Sequence, residues 1–323
     1  MNRLAGRDAA PKGRSSAGTP SGLRPRGVRM LLRDAIGVLE RIGLSTARQD
    51  GEWLLADLLG VRRFDLYLEP DRPVPASVAE RYLALVKRRG DGEPLQHILG
   101  WEEFRGLKLS VTPDVLIPRP ETELLVTWAL ELLACPGDLE SRGGGEGRVA
   151  VDVGTGSGAI ACALAHALPR LRIVGVECSP RALRVAEENA NALGVGDRVR
   201  LLAGDLCEPL AGTVDLVIAN PPYIPSGEVS KLPREVREYE PRLALDGGAD
   251  GTAFHRRIID EAPRCLKPGG WLLMEMGEGH AAALAEAMRD GGWLEEIQVR
   301  RDFRGIERMI GGRKKNHDGQ TRD

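Results

Sequence analysis

After Arg148 the chain alternates short apolar runs with stretches of helical periodicity, and this alternation restricts the possible folds more than any other feature of the sequence. Strands are predicted over residues 149–153, 172–176, 199–203 and 214–219. Apolar runs without polar alternation belong to strands that are covered on both faces. The alternation therefore predicts an α/β fold, a doubly wound sheet that is mostly parallel.

The rest of this region extends the same pattern and changes it at the end. Helices are predicted over residues 121–134, 159–168, 180–193, 252–266 and 279–290, and a further strand over residues 271–276. The last two strands, near residues 294–301 and 306–311, are separated by a turn at Gly305 that is too short for a crossover helix. An antiparallel hairpin at the edge of the sheet is therefore expected.

Residues 30–90 carry apolar side chains at helical spacing and predict a small helical domain. The three apolar stripes are Leu31, Leu32, Ile36, Leu39 and Ile42; Trp53, Leu54, Leu58 and Leu59; and Val78, Tyr82, Leu85 and Val86. A linker with a short β-hairpin follows over residues 91–120, and the α/β domain occupies residues 121–312. We expect residues 1–29 to be a disordered basic leader and residues 313–323 a disordered tail.

The charge distribution argues against a protein that holds nucleic acid through bulk electrostatics. The formal net charge is −2, and residues 1–29 carry seven Arg or Lys against one Asp, which leaves the remainder acidic at −8. The absence of a signal-like segment and of a run of about 18 apolar residues predicts a cytoplasmic protein without membrane contact. The five cysteines are widely scattered, which predicts reduced thiols and no metal site.

A glycine-rich turn, residues 152–158, joins the first predicted strand to its helix. Glycine lets the backbone approach a ligand closely, and the N–H groups that open the helix offer donors. Glu177 and Asp205 end the next two strands, where carboxylates can meet ribose hydroxyls and an adenine amino group. The predicted cofactor-binding residues are Gly154, Thr155, Gly156, Ser157, Gly158, Glu177, Asp205, Leu206 and Asn220.

The turn alone is compatible with a tight strand-to-helix connection or with a dinucleotide site. The dinucleotide fingerprint has two residues between its last two glycines, whereas a single residue separates Gly156 from Gly158. The pattern resembles instead the S-adenosylmethionine site of class I methyltransferases. That resemblance implies a Rossmann-like fold whose sheet also ends in an antiparallel hairpin.

A second turn, Asn220-Pro221-Pro222-Tyr223, directly follows the fourth strand. The carboxyl ends of parallel strands border one crevice, so both turns should face the same pocket. The Asn220 side-chain oxygen and the Pro221 carbonyl are acceptors that two prolines hold in place, and Tyr223 offers a flat face. The four residues are predicted to hold a planar –NH2 group for methylation, although a proline-rich turn alone would be structural.

Together with two longer segments, these residues resemble the HemK/PrmC protein-glutamine N5-methyltransferases. The segments are Arg88-Arg89-Gly90-Asp91-Gly92-Glu93-Pro94-Leu95-Gln96-His97-Ile98-Leu99-Gly100 and Leu116-Ile117-Pro118-Arg119-Pro120-Glu121-Thr122-Glu123. The resemblance implies transfer of a methyl group from S-adenosylmethionine to the glutamine of the Gly-Gly-Gln loop in peptide chain release factors. It further implies a substrate-binding helical domain and substrate contacts from Arg119, Glu121 and Glu123. The basic leader and the glycine-rich loop 143–147 depart from the family pattern.

Three other functions fit parts of the sequence. An adenine or cytosine amino-methyltransferase acting on DNA or RNA uses the same turn on a flipped base, but it needs a basic groove, which the acidic body disfavours. A sister enzyme that methylates a ribosomal protein departs from the segment at residues 117–123. A binding-only subunit has no need for Asn220. We expect a monomer that binds release factors and not nucleic acid.

Overall fold

The computed structural model of the protein describes residues 26–134, 147–210 and 212–316. The chain divides into two compact units, with the boundary between Val86 and Lys87. Most of the predicted leader, most of the glycine-rich loop and the end of the predicted tail lie outside the described residues. None of the helices within the described ranges is long and apolar enough to cross a membrane.

The first unit is helical, as the three apolar stripes predict. Its helices are α1 (Val28–Arg41), α2 (Ala47–Leu59), the single turn α3 (Asp65–Leu68) and most of α4 (Ala76–Gly90). The helix α1 thus begins two residues before the predicted start of the domain. The boundary between the two units falls inside α4, near the end of the helical region predicted over residues 30–90.

The stripes supply the core of this unit. Leu31, Leu39, Leu54 and Tyr82 are fully buried, and the Tyr82 hydroxyl donates to the carbonyl of Gly51 at 3.0 Å. The last residue of the first stripe does not join them. Ile42 is 55% exposed, because α1 ends at Arg41 and the chain leaves the packed face there.

The second unit opens with short elements that lead to the main sheet. They are α5 (Leu95–Leu99), the strands β1 (Trp101–Phe104) and β2 (Leu107–Ser110), and α6 (Pro120–Leu133). The strands β1 and β2 pair antiparallel as a separate two-stranded sheet, which confirms the hairpin predicted around Gly106. Proline at the first position of α6 suits a helix start, because its missing N–H would be unpaired there.

The main sheet of the described residues has seven strands. They are β3 (Val149–Val153), β4 (Arg172–Glu177), β5 (Val199–Ala203), β6 (Val214–Ala219), β7 (Leu266–Glu275), β8 (Leu294–Arg301) and β9 (Glu307–Lys314). Their order is β5-β4-β3-β6-β7-β9-β8, with β3 to β7 parallel and β8 and β9 antiparallel. The predicted class I methyltransferase architecture, with its hairpin at the edge, is confirmed.

Helices cover both faces of this sheet. The remaining helices of the second unit are α7 (Ala159–Ala167), α8 (Pro180–Ala192), the short α9 (Arg234–Tyr239), α10 (Ala253–Glu261) and α11 (Ala281–Asp290). One buried cluster joins α6 and α7 to the sheet, and another joins α10 and α11 to its opposite face. Successive strand residues alternate between the two clusters: Leu216 belongs to the first and Val217 to the second.

Three boundaries differ from the sequence prediction by three residues or more. The strand β7 begins at Leu266 rather than 271, and the predicted helix over 252–266 ends earlier, at Glu261, with a 3₁₀ turn after it. The strand β9 runs to Lys314, so the tail predicted from residue 313 starts inside a strand. Pairing with neighbouring strands extends both β7 and β9 beyond the apolar run that predicted each of them.

The topology determines where a ligand can bind. The strands β3 and β6 are parallel neighbours, and the connections that follow them leave in opposite directions along the sheet. Such a switch point opens a crevice at the carboxyl ends of the strands. The glycine-rich turn follows β3 and the Asn220 turn follows β6, so both border this crevice.

Candidate active site

The glycine-rich turn adopts a conformation that requires glycine at two positions in particular. Gly154 and Gly158 have φ of 72° and 78°, in the left-handed region that side chains disfavour. A Cβ on Gly158 would also lie 3.2 Å from the Cβ of Ala186, because the start of α7 packs closely against α8. These residues let the backbone turn tightly at the edge of the cavity.

The amides of the turn are largely satisfied within the protein. The N–H groups of Gly154 and Thr155 donate to the carbonyl of Val176 at 2.9 and 3.0 Å, and Gly156 N–H donates to Glu177 Oε2 at 3.0 Å. The glycines therefore contribute mainly by letting a ligand approach the backbone closely, because the three amides already donate to groups of the protein.

Glu177 ends β4 beside this turn, where the sequence places it. Its carboxylate is mostly buried and accepts hydrogen bonds from the amides of Gly156 and Ser179, at 3.0 and 2.9 Å. Two backbone donors hold the carboxylate in one orientation at the cavity wall. Each carboxylate oxygen has two acceptor positions, so capacity remains for a ligand hydroxyl.

Asp205 also lines the cavity, but it has a partner that the sequence did not predict. Its Oδ2 accepts from Arg257 Nη2 at 2.7 Å, and the pair is half exposed at the rim. Leu206 follows with φ of 47° and lines the same cavity. Their contacts with an adenine ring stay predictions.

The Asn220 turn forms another part of the cavity wall. Asn220 and Pro222 line it, Pro221 is buried, and the Tyr223 hydroxyl lies 3.4 Å from Glu275 Oε1. Asn220 Nδ2 donates to the hydroxyl of Thr122 at 3.0 Å. No group within the described ranges donates a hydrogen bond to Asn220 Oδ1, which leaves that oxygen available to a substrate.

These two turns, the residues at the ends of β4 and β5, and three further segments enclose one cavity of about 1070 Å³, including its solvent-facing mouth. The further segments are residues 114–119, residues 241–244 and Phe254 at the start of α10. Most of the lining is apolar, with a few fixed polar groups, which is typical of cofactor and small-ligand sites. The predicted residues Gly154 to Ser157, Glu177, Asp205, Leu206 and Asn220 thus share one cavity.

The three residues predicted as substrate contacts in the Pro-Arg-Pro-Glu segment take different positions. Arg119 lines the cavity and pairs with Glu240, whose carboxylate also accepts from the Ile117 amide at 3.2 Å. Glu121 is half-buried near Glu275. Glu123 accepts from the Arg105 amide at 2.8 Å and is not among the side chains of the described residues that line the cavity.

Four residues of this region were not predicted from the sequence: Thr122, Glu275, Phe254 and Leu243. Thr122 lies in the quoted segment, between the two glutamates that were assigned, and Phe254 is one of only four phenylalanines. Leu243 is 55% exposed although it lines the cavity, which is unusual for a large apolar side chain. Glu275 ends β7, the strand beside β6, and its position at a carboxyl strand end was a usable signal.

Burial strongly changes the titration of two carboxyl groups at this edge of the sheet. Desolvation raises the pKa of Asp152 to about 7, against hydrogen bonds from Thr155 and the Ala161 amide. Desolvation likewise raises the pKa of Glu275 to about 7, and Glu121 adds to the effect while Thr122, Tyr223 and Arg308 oppose it. Near neutral pH each therefore exists in both protonation states.

No cluster of three or more His, Cys, Asp or Glu side chains that could hold a metal ion occurs in the described part of the chain. The cysteines described there, Cys162, Cys178, Cys207 and Cys265, are free thiols. Cys135 lies outside the described residues.

Fold comparison defines the class of protein. The methyltransferase small domain family matches residues 137–233, the region that holds both turns. The hMettl16 catalytic domain, solved in complex with a MAT2A 3′UTR hairpin, superposes with a TM-score of 0.53 at 18% identity, over 85% of this chain and 93% of that one. With the sheet order described above, these matches define a class I methyltransferase.

Sequence comparison identifies the family within that class. The PrmC N-terminal domain family matches residues 30–100. Release factor glutamine methyltransferases from Geobacter sulfurreducens and Moorella thermoacetica are 44% and 41% identical to this chain. Each alignment covers 88% of this chain, and 96% and 97% of the respective relatives. The chain belongs to the release factor glutamine methyltransferase family.

The methyl donor of this methyltransferase is S-adenosylmethionine, and the cavity has the chemistry to bind it. The Glu177 carboxylate, held by two amides, suits a pair of ribose hydroxyls. Apolar lining from Ile160, Val176 and Leu206 suits an adenine ring, and the tight glycine turn leaves room beside them. The assignment of each residue to a part of the cofactor belongs to the proposal below.

Proposed function

We propose that this protein transfers a methyl group from S-adenosylmethionine to the side-chain amide nitrogen of the glutamine in the Gly-Gly-Gln loop of peptide chain release factors. One observation carries the residue-level proposal. Asn220 lines the cavity shared with Glu177 and the glycine turn, and its amide nitrogen is already bonded to Thr122, which leaves Oδ1 as an acceptor.

An amide nitrogen is a poor nucleophile because its lone pair is delocalised into the carbonyl. In the proposed complex, the Asn220 Oδ1 and the Pro221 carbonyl accept the two N–H donors of the glutamine amide. These bonds raise the electron density on the nitrogen and direct its lone pair along the line of attack. Alignment of this kind can account for roughly 7–11 kcal/mol of a reaction barrier, so no strong base is needed.

When bound, S-adenosylmethionine supplies an electrophilic methyl group on a sulfonium. The protein's residues hold the acceptor nitrogen in line with that methyl and keep bulk water away from it. In the transfer the nitrogen–carbon bond would form as the sulfur–methyl bond breaks, with the bonding electron pair remaining on sulfur, and the nitrogen would give up one proton to solvent. Glu177 and the apolar lining fix the donor, and Asn220, Pro221, Pro222 and Tyr223 fix the acceptor.

The finer assignments follow from the same proposal. Release factors are the partner and the first unit contributes to holding them, in line with the names of the relatives and the match to the PrmC N-terminal domain. Arg119 acts at the wall of the cavity and Glu121 beside it, near Glu275, and Asp205 and Leu206 contact the adenine. The protein works as a monomer in the cytoplasm and has no nucleic-acid substrate.

The experiment that tests this function offers labelled S-adenosylmethionine with separate pools of release factor, ribosomal protein and nucleic acid. Label should enter the release factor. Asn220→Ala should lower the transfer by roughly 100-fold or more while cofactor affinity changes less than about twofold, because only the alignment of the acceptor is lost. Asn191→Ala, at an exposed asparagine of α8, is the matched control.

Three results would contradict the proposal. Label in the ribosomal protein or in nucleic acid instead of the release factor would assign the enzyme another substrate. Loss of cofactor binding together with activity in folded Asn220→Ala would make the turn structural. Unchanged activity in that variant would remove Asn220 from the reaction.

A further inference from the structure

A chain of hydrogen bonds leads from the Asn220 turn through Thr122, at the wall of the cavity, to the buried carboxyl of Glu275. Asn220 Nδ2 lies 3.0 Å from Thr122 Oγ1, and Thr122 Oγ1 lies 2.6 Å from Glu275 Oε2. Thr122 is 4% exposed and Glu275 is 1% exposed. The three residues come from three separate elements: the loop after β6, the first turn of α6 and the end of β7.

The proton count along this chain decides which way the Asn220 amide points. An ionised carboxylate can only accept, so while Glu275 is ionised the single hydroxyl proton of Thr122 is directed to it. The Thr122 oxygen can then only accept from Asn220, and it must therefore meet the –NH2 end of the amide. An amide turned the other way would set its oxygen against the lone pairs of the threonine.

We infer that Thr122 and Glu275 are positioning residues that orient the Asn220 carboxamide, with Oδ1 turned away from Thr122 and available to the substrate nitrogen. The inference rests on the proposed role of Asn220 and adds how that role is enforced. Without this constraint the Asn220 amide could flip and exchange the positions of its oxygen and its nitrogen. In the flipped orientation its –NH2 group would face the –NH2 group of the substrate, and two donors cannot form a hydrogen bond.

Glu275 is itself held from several sides. The Tyr223 hydroxyl is directed at its second oxygen at 3.4 Å, and His255 Nε2 donates to its backbone carbonyl at 2.8 Å. A carbonyl can only accept, so His255 carries its proton on Nε2, and burial lowers the pKa of His255 to about 4. The carboxyl position is therefore fixed through both side chain and main chain.

The same geometry predicts a dependence on pH. Protonated Glu275 can donate to Thr122, and the threonine hydroxyl can then either donate to the Asn220 oxygen or accept from the Asn220 nitrogen. The groups that face the carboxyl are Glu121 on α6, Tyr223 after β6 and Arg308 on β9, and their charges act in opposite directions. Orientation of Asn220 should weaken as the pH falls below about 7, the value to which burial raises the pKa of Glu275.

Three variants test the inference in the full-length enzyme. Thr122→Val keeps the shape but breaks the chain, and it should lower kcat roughly 10- to 100-fold while the KM for S-adenosylmethionine stays within about twofold. Thr122→Ser should restore most of the rate, because it keeps the hydroxyl. Thr127→Val, on the same helix but bonded to Arg105 and the Glu123 carbonyl, is the matched control.

Glu275→Gln tests the proton count. Like the protonated carboxyl, its amide can either accept from Thr122 or donate to it, so the rate at pH 7.5 should fall to that of the unmodified enzyme at pH 5.5, and the loss of rate between pH 7.5 and 5.5 should disappear. A decline with pH equal to that of the unmodified enzyme would overturn the role of Glu275. Equal rates for Thr122→Val and the unmodified enzyme would overturn that of Thr122.

A measurement without any protein substrate separates this inference from the proposed function. The ¹⁵N resonances of the Asn220 side-chain amide, assigned by their absence in Asn220→Ala, should show slow hydrogen exchange in the unmodified enzyme and Thr122→Ser, and at least about tenfold faster exchange in Thr122→Val. Equal exchange in all three would refute the positioning chain. Slow exchange in an enzyme that does not label release factors would instead contradict only the assignment of release factors as the substrate.

Discussion

Glu240→Ala should destabilise the second unit by about 2–4 kcal/mol, an unusually large effect for a residue outside the sheet and its helices. Glu240 Oε2 accepts from the buried amide of Ile117 at 3.2 Å, and Oε1 pairs with the guanidinium of Arg119. The carboxylate joins two segments that both line the cavity, residues 114–119 and 241–244. Its side chain is 1% exposed.

The magnitude follows from the two groups that lose a partner. An unpaired buried amide at Ile117 costs about 1–3 kcal/mol. Arg119 is 32% exposed, so its guanidinium can be solvated once Glu240 is removed. Loss of the ion pair should therefore add about 1 kcal/mol, less than the cost of breaking a fully buried pair. Burial raises the pKa of Glu240 in spite of Arg119. A neutral side chain that can still accept, as in Glu240→Gln, should therefore be tolerated better than the loss of the side chain in Glu240→Ala.

Urea unfolding of three variants checks this reasoning. Glu240→Gln keeps an acceptor for the Ile117 amide and should cost about 1 kcal/mol. Glu238→Ala, at an exposed partner of Arg234 on α9, should leave the free energy of unfolding nearly unchanged. Cofactor affinity should fall in Glu240→Ala, because both joined segments line the cavity. Equal costs for Glu240→Ala and Glu238→Ala would refute the account, as would equal costs for the alanine and glutamine variants.

Two further predictions concern carboxylates at the strand ends. Glu177→Gln should weaken S-adenosylmethionine binding about tenfold by calorimetry, since it loses charge-assisted bonds to ribose; Glu187→Gln on α8 is the control, and unchanged affinity would remove the ribose assignment. Burial raises the pKa of Glu275 from 4.5 to about 7, so its contribution to stability is complete below pH 4.5 and is lost as the pH rises to about 7. The free energy of unfolding should fall by up to about 3 kcal/mol across that window because of this group. Urea titrations at several pH values should show that Glu275→Gln removes this share. If the free energy of unfolding depended on pH equally in the variant and the unmodified enzyme, the raised pKa of the buried carboxyl would be contradicted.

The sheet and the two turns were accessible from sequence because local signals determine them. Strands β3 to β6 lie within one residue of their predicted bounds, since each is a short run rich in apolar residues. Parallel strands bring their carboxyl ends to one edge, so the order of strands along the chain was enough to assign Glu177 and Asn220 to one pocket.

Boundaries set by pairing with another strand were harder to predict. Pro268, Gly269 and Gly270 indicate a turn, yet they lie inside β7, where the pairing with β6 shifts its register. A Cβ on Gly270 would lie 2.9 Å from the carbonyl oxygen of Asp215, so glycine there permits the close approach of the two strands. The sequence signals the glycine but not the neighbour that requires it.

Long-range polar contacts left no local trace. Thr122 and Glu275 are 153 residues apart, and Asp205 and Arg257 are 52 apart. The segment around Arg119 was assigned to the substrate through the family resemblance, which named Arg119, Glu121 and Glu123, whereas Thr122 is the residue in that segment that bonds to Asn220. Periodicity identifies buried faces, but it does not pair the polar groups that fold onto them.

The most direct test of the central claim is mass spectrometry of a release factor after incubation with the enzyme and S-adenosylmethionine. The account predicts a single added methyl on the side-chain nitrogen of the glutamine in the Gly-Gly-Gln loop, at a rate that depends on Asn220. A methyl on another residue, or unchanged methylation of the loop by Asn220→Ala, would contradict it.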